Sequence, residues 1–217
     1  GRGQTMFDKT AAIFLDRDGV INQNRADHVK SWEEFEFVPG ALESIRALTE
    51  PGLPIFVVTN QAIISRGLVT VEQLDAIHDR MLAEIRRAGG LITQVYYCPH
   101  DNHENCDCRK PASGMLRRAA SDYNLDLTSS FMVGDAWTDV AAGLDVQAHS
   151  ILVLTGRGRW NFVSCWNRFG LEFAAACDLA DAVIMIREAL RGNHLTSTPR
   201  LRSAFHLALH PEALVVL

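Results

Sequence analysis

Ala11-Ala12-Ile13-Phe14-Leu15-Asp16-Arg17-Asp18-Gly19-Val20 is the stretch from which the rest of this chain can be read. Its apolar opening is short enough for a buried strand, and it runs into two carboxylates separated by one residue and closed by a glycine. In an open α/β sheet the ligand crevice lies outside the carboxyl ends of the strands, so Asp16 and Asp18 are expected to face a ligand rather than the core. Carboxylates this close repel one another, which makes a divalent cation such as Mg2+ their natural partner. Asp and Gly are also ordinary turn residues, so a polar turn after a strand is the alternative reading of the stretch taken alone.

The same layout recurs downstream. Residues 53–61 form an apolar strand that delivers Thr59, Asn60 and Gln61 at its end, and further strands are predicted at 91–97, 130–134 and 150–155. Helices are predicted at 41–48, at 71–88 behind a Thr70 N-cap, and at about 114–123. Strands alternating with helices argue an α/β fold, a Rossmann-like, doubly wound parallel sheet with right-handed crossovers. The polar residues that follow the strands would then gather along one edge. The segment 21–36 reads as a functional loop over that edge. Beyond Arg159 the periodicity weakens until an amphipathic helix at 178–191, stopped by Gly192. The expected organisation is one domain over 1–192, followed by a tail at 193–217 that packs on the domain or meets a partner. Gly1–Thr5, ahead of Met6, is assigned no structure.

The chain has 217 residues, 47% of them hydrophobic and 22% charged, enough for a full core. A net charge of -5 argues against a dedicated nucleic-acid binder, which needs a basic field. No apolar run approaches the roughly 20 residues that span a bilayer, and no secretory signal pattern opens the chain, so a cytoplasmic location without membrane attachment is expected. The five cysteines are an odd number with Cys98, Cys106 and Cys108 clustered, which favours metal ligation over a disulfide framework. These three with His100 supply the donors of a closed tetrahedral Zn2+ site in a small loop at 98–108, with His103 as a competing imidazole.

Read together, the strand-end groups suggest one mechanism. Asp16 can attack phosphorus to give an aspartyl-phosphate. Asp18 can serve as acid to the leaving alkoxide and as base to the hydrolytic water. Asp16 and Asp135 would ligate Mg2+ together with the backbone carbonyl of Asp18. Thr59 would donate to the phosphoryl group, and Lys110 would offset the charge shared by Asp16 and the phosphate. Asp139 joins this set either as a further acid or as the acid of a helix N-terminus.

Asp16-Arg17-Asp18-Gly19, Val57-Val58-Thr59-Asn60-Gln61, Cys108-Arg109-Lys110-Pro111 and Gly134-Asp135 through Asp139 resemble the motifs of the haloacid dehalogenase (HAD) phosphohydrolase superfamily. Within it the chain is similar to the heptose 1,7-bisphosphate 7-phosphatases and the histidinol-phosphate phosphatases over about 11–158. The resemblance implies a capless HAD-like fold, Mg2+ dependence and a structural zinc loop, with His100 rather than His103 as the ligand. It also implies substrate contacts from Asn24, Arg25, Ala26, Asp27, Asn60, Gln61, Arg66 and Arg109. Arg66-Gly67 favours the heptose branch. Ala62, Ile63 and Ala136 depart from its usual Ser, Gly and Lys, which leaves histidinol phosphate or another small sugar phosphate as the alternative substrate. The expected protein is an enzyme of carbohydrate metabolism, a monomer or weak oligomer. Two other classes are a phospho-aspartate receiver, against which the acid/base Asp18 argues, and a non-catalytic scaffold, against which the complete motif set argues.

Overall fold

A computed structural model describes residues 8–196 and 198–201. β1 (Ile13–Leu15) lies at the middle of a sheet, paired in parallel with β2 (Ile55–Asn60) on one side and β4 (Phe131–Gly134) on the other. β3 (Gln94–Cys98) extends the sheet beyond β2, and β5 (His149–Val153) and β6 (Ala174–Ala176) extend it beyond β4. The order β3-β2-β1-β4-β5-β6, parallel throughout, is the doubly wound arrangement. Its switch point lies between β1 and β4, where the connections begin to run the other way.

Strands buried on both faces need apolar residues at every position, and β1 is buried throughout. Ile13 and Leu15 join Ile55, Val57, Val133 and Ile151 on one face. That face is covered by α1 (Ala41–Thr49), α2 (Val71–Arg87) and α6 (Leu179–Leu190) through residues such as Leu48, Met81 and Ile186. Phe14 points the other way, stacks on Phe56 at 5.5 Å and packs under Met115 and Leu116 of α3 (Gly114–Tyr123). α4 (Trp137–Asp145) and α5 (Gly158–Phe169) complete this second layer around Val140, Leu152 and Cys165. Truncating Phe14 to alanine would remove a central contact of that layer, at a cost of about 3–5 kcal/mol.

The helix at 71–88 ends one residue earlier than expected, and its Thr70 cap is present: Gln73 N donates to Thr70 Oγ1 and Thr70 N donates to Gln73 Oε1. Asp178 caps α6 by accepting from Asp181 N. Two elements go beyond the expectation, namely α5 and β6, while α4 is the helix that carries Asp139 in its first turn. Leu195, Thr198 and Leu201 pack against the domain, and Arg200 pairs with Asp178 at 2.7 Å, so the described start of the 193–217 segment lies on the domain surface. The remainder of that segment, 202–217, and Gly1–Thr5 lie outside the described residues. Among the described residues no helix is long and apolar enough to cross a membrane.

Candidate active site

The carboxyl ends of the strands open into a cavity of about 500 Å3. Asp16, Asp18, Asn24, Arg25, Thr59, Asn60, Gln61, Arg66, Arg109, Lys110 and Asp135 all line it. Ala26 and Asp27 do not: Asp27 turns outward into ion pairs with Arg25 at 3.1 Å and Lys30 at 2.9 Å.

Lys110 is buried at the centre. Its three ammonium protons find three acceptors, with Nζ 2.9 Å from Asp16 Oδ1, 2.6 Å from Asp139 Oδ1 and 2.8 Å from the Val58 carbonyl. Burial alone would lower its pKa, but Asp139 and Asp16 hold it well above the usual lysine range. Asp16 Oδ1 also accepts from Arg17 N at 2.8 Å, while Oδ2 has no donor among the described residues. Burial and then the neighbouring Asp139 push the Asp16 pKa well up, against the pull of Lys110.

Asp135 lies at the end of β4. Its Oδ2 accepts from Asn24 Nδ2 and from Arg157 N, both at 2.8 Å, and its Oδ1 has no donor among the described residues. Burial, followed by the charge of Asp139, pushes its pKa to about 6. The approach is close because Gly19, at φ +87°, passes where a Cβ would stand 2.0 Å from Asp135 Oδ2. Carboxylate oxygens of Asp16, Asp135 and Asp139 come within 4.8 Å of one another. Asp139 has both oxygens engaged, one by Lys110 and the other by Ala136 N at 3.1 Å. The oxygens without a donor are therefore Asp16 Oδ2 and Asp135 Oδ1, and the neighbouring carboxylates of Asp16 and Asp135 are hard donors of the kind that fits a Mg2+ ion.

The Asp18 carboxylate stands apart from this cluster. It accepts from Arg17 Nη2 at 3.0 Å, Asn22 Nδ2 at 2.8 Å and Gln61 Nε2 at 3.1 Å. Burial would raise its pKa, but the Arg17 guanidinium and these hydrogen bonds hold it below the usual carboxylate value. Gln61 also donates to Thr59 Oγ1 at 2.9 Å, leaving the Thr59 hydroxyl proton for another acceptor. Asn60 has a role that its sequence context does not reveal. Its Nδ2 donates to the Lys110 carbonyl and its Oδ1 accepts from Lys110 N, both at 3.0 Å, so its amide clamps the loop that carries the lysine.

The loop after β3 gathers Cys98, His100, Cys106 and Cys108, with ligand atoms within 4.8 Å of one another. Cys98 and Cys108 sulfurs lie 2.9 Å apart, and His100 Nδ1 is 3.3 Å from Cys108 Sγ. His103 is outside the cluster. Arg109 is tied to the same loop through His100 O at 3.1 Å and Cys106 Sγ at 3.4 Å, so whatever orders these ligands also places Arg109 and Lys110. At the cavity mouth Arg66 pairs with Asp101 at 2.7 Å.

The HAD-hydrolase-like family matches residues 107–161. The heptose-1,7-bisphosphate 7-phosphatase of Pseudomonas putida, specific by name for the β anomer, is 42% identical over 146 residues, 67% of this chain and 83% of its own length. The enzyme of Campylobacter jejuni named for the α anomer is 38% identical, with the same shares covered. The chain belongs to the HAD-like phosphatase family. A crystal structure of the Bordetella bronchiseptica heptose bisphosphate phosphatase, complexed with magnesium and phosphate, superposes with a TM-score of 0.77. It is 34% identical and covers 85% of this chain and 100% of that one. The site lies at the switch point between β1 and β4, where open α/β sheets bind their ligands.

Two groups of lining residues escaped the motif reading. Asn161 and Arg157 reach the cavity from the start of α5, and Trp137 and Thr138 from the start of α4. The Gly156-Arg157-Gly158 stretch follows a predicted strand, and that was the available signal. Ala62, Ile63 and Ala136, the departures from the heptose pattern, all line the cavity.

Proposed function

We propose that this protein is a Mg2+-dependent phosphomonoester hydrolase that removes the 7-phosphate of D-glycero-D-manno-heptose 1,7-bisphosphate through an aspartyl-phosphate on Asp16. The observation that carries the reading is the state of Asp16: Oδ1 is held by Lys110 and the Arg17 amide, and Oδ2 is left open to a substrate. Phosphorus is attacked by Oδ2 while the ester oxygen departs with a proton from Asp18. Asp18 then takes a proton from the water that hydrolyses the aspartyl-phosphate. Thr59 donates to the phosphoryl oxygens, and Lys110 offsets part of the negative charge that Asp16 shares with its acidic neighbours and the phosphate.

Asp16, Asp135 and the Asp18 carbonyl would hold Mg2+, which when bound supplies Lewis-acid charge to the phosphoryl group. Zn2+ on Cys98, His100, Cys106 and Cys108 would brace the loop that presents Arg109 and Lys110. Asn24, Arg25, Asn60, Gln61, Arg66 and Arg109 are the proposed substrate shell. Of these, Asn60 and Gln61 act by holding Lys110, Thr59 and Asp18 in place. The proposed setting is the cytoplasm, in carbohydrate metabolism, as a monomer or weak oligomer.

Ala136 and Ile63 at the cavity wall favour a second reading in which the same chemistry serves histidinol phosphate or another small sugar phosphate. Phosphate release with Mg2+ from both heptose bisphosphate anomers, histidinol phosphate and other sugar phosphates, run beside Asp16→Asn, separates the two. Selective release from one heptose anomer, lost in the variant, supports the first reading. Release confined to another phosphate replaces the substrate and keeps the chemistry, and no release above the Asp16→Asn background overturns both.

A further inference from the structure

His78 lies at the middle of α2, far in sequence from every motif residue, and is buried at 4% exposure beside Leu74, Ile77 and Met81. Its Nε2 is 3.0 Å from Arg17 Nη1. A guanidinium offers only donors, so Nε2 must be the acceptor, and the ring is neutral with its proton on Nδ1. Arg17 is wholly buried and spends the rest of its fork on one carboxylate: Nε reaches Asp18 Oδ1 at 3.2 Å, and Nη2 reaches Oδ1 at 3.0 Å and Oδ2 at 3.3 Å. The ring of Phe35 lies 6.0 Å from the guanidinium carbon. The planar fork is thus pinned on two sides, by Asp18 and by a ring fixed on a capped helix.

We propose that His78 is a positioning residue for hydrolysis of the aspartyl-phosphate, acting on Asp18 through Arg17. The inference rests on the roles given above to Asp16 and Asp18. In that step a water oxygen bonds to phosphorus as the bond from phosphorus to the Asp16 oxygen breaks. The electron pair of the broken bond returns to the Asp16 carboxylate, and the water proton passes to Asp18. The water must therefore meet an Asp18 oxygen held in place, and a misplacement of an ångström costs rate steeply. Without an acceptor at position 78, a buried Arg17 donor loses its partner and the fork is free to turn after another.

The test is rapid mixing of the full chain with p-nitrophenyl phosphate and Mg2+, following nitrophenol release and phosphate retained on the protein. Nitrophenolate leaves without needing a proton, so only the hydrolytic step depends on Asp18. His78→Leu is expected to lower kcat about tenfold with KM falling in parallel, leaving kcat/KM within about twofold and phosphoenzyme accumulating behind a burst. His78→Gln, whose amide oxygen can accept from Nη1, is expected to retain kcat within about threefold.

Unchanged kcat in His78→Leu, or a fall in kcat/KM without phosphoenzyme and without rescue by Gln, overturns the proposal. If His78→Leu does not fold, Arg17→Lys is measured in its place, with the same burst expected and the same absence of phosphoenzyme counting against the proposal. Asp16→Asn and Asp18→Asn separate the two levels of argument. Turnover by either at the wild-type rate removes the underlying reading, whereas their inactivity alongside an unaffected His78→Leu removes only the role of His78.

Discussion

Lys110 Nζ stands 2.9 Å from Asp16 Oδ1, both groups buried, at the meeting of two strand ends and a loop that are remote in sequence. A buried ion pair is costly to break because the surviving charge is left without compensation. Lys110→Met leaves Asp16, Asp135 and Asp139 crowded with no internal cation. The expected outcome is a loss of about 10²–10³-fold in kcat/KM, with about 3 kcal/mol lost in urea unfolding. Activity near the wild-type level would remove Lys110 from the reaction.

Gly19→Ala tests the approach of the backbone to Asp135. The backbone lies at φ +87° and the added carbon would fall 2.0 Å from Asp135 Oδ2, so the acid must move or the turn must distort. Weaker Mg2+ binding by calorimetry, and a rise in the Mg2+ concentration needed for half-maximal rate, are the expected results. Unchanged Mg2+ affinity would place Asp135 outside the cation site.

Removing the Zn2+ proposed for the Cys98, His100, Cys106 and Cys108 loop should act on catalysis indirectly. Treatment with a thiol-competent chelator, or Cys106→Ser, is expected to lower the melting temperature and kcat together, because Arg109 and Lys110 follow directly from the loop. Restoration of both by Zn2+ is the confirming observation. Full activity in a protein that contains no zinc by elemental analysis would dismiss the loop as a metal site.

His78 makes stability depend on pH in a predictable direction. Burial, and then the adjacent Arg17 charge, push its pKa down to about 3, whereas in the unfolded chain it lies near 6.5. Above pH 6.5 both states are neutral and the group adds nothing. Between 6.5 and about 3 the unfolded state binds a proton that the folded state refuses, so stability falls as the pH drops, by on the order of 1 kcal/mol per pH unit. Urea unfolding at pH 7, 6 and 5 on the wild type and His78→Gln measures this as the difference between the two slopes, and equal slopes would refute it.

The strands were readable because a doubly covered sheet demands uninterrupted apolar runs, and 11–15, 55–58 and 131–133 supply them. The α5 helix was not, because Trp160, Val163 and Trp166 are 86%, 64% and 50% exposed and put apolar residues on the outer face as well as the inner, which blurs the helical period. β6 consists of three alanines, a residue with little strand preference of its own, and it forms only by pairing with β5. In the site, the acids and Lys110 announce themselves by following strands. The bracing roles of Asn60 and Gln61, and His78 altogether, do not, since the partners concerned are 50, 43 and 61 residues away and only the fold brings them together.

The Asn60 clamp also bears on how this protein would age. One carboxamide donates to the Lys110 carbonyl and accepts from the Lys110 amide, a pairing that a carboxylate of the same shape cannot reproduce. Deamidation of Asn60 would keep the accepting half and set a negative oxygen against the carbonyl, loosening the loop that delivers the lysine. Slow chemical damage at this side chain would therefore disable the site while leaving the sheet intact, and the two hydrogen bonds that hold the amide at the end of β2 are what shield it from that fate.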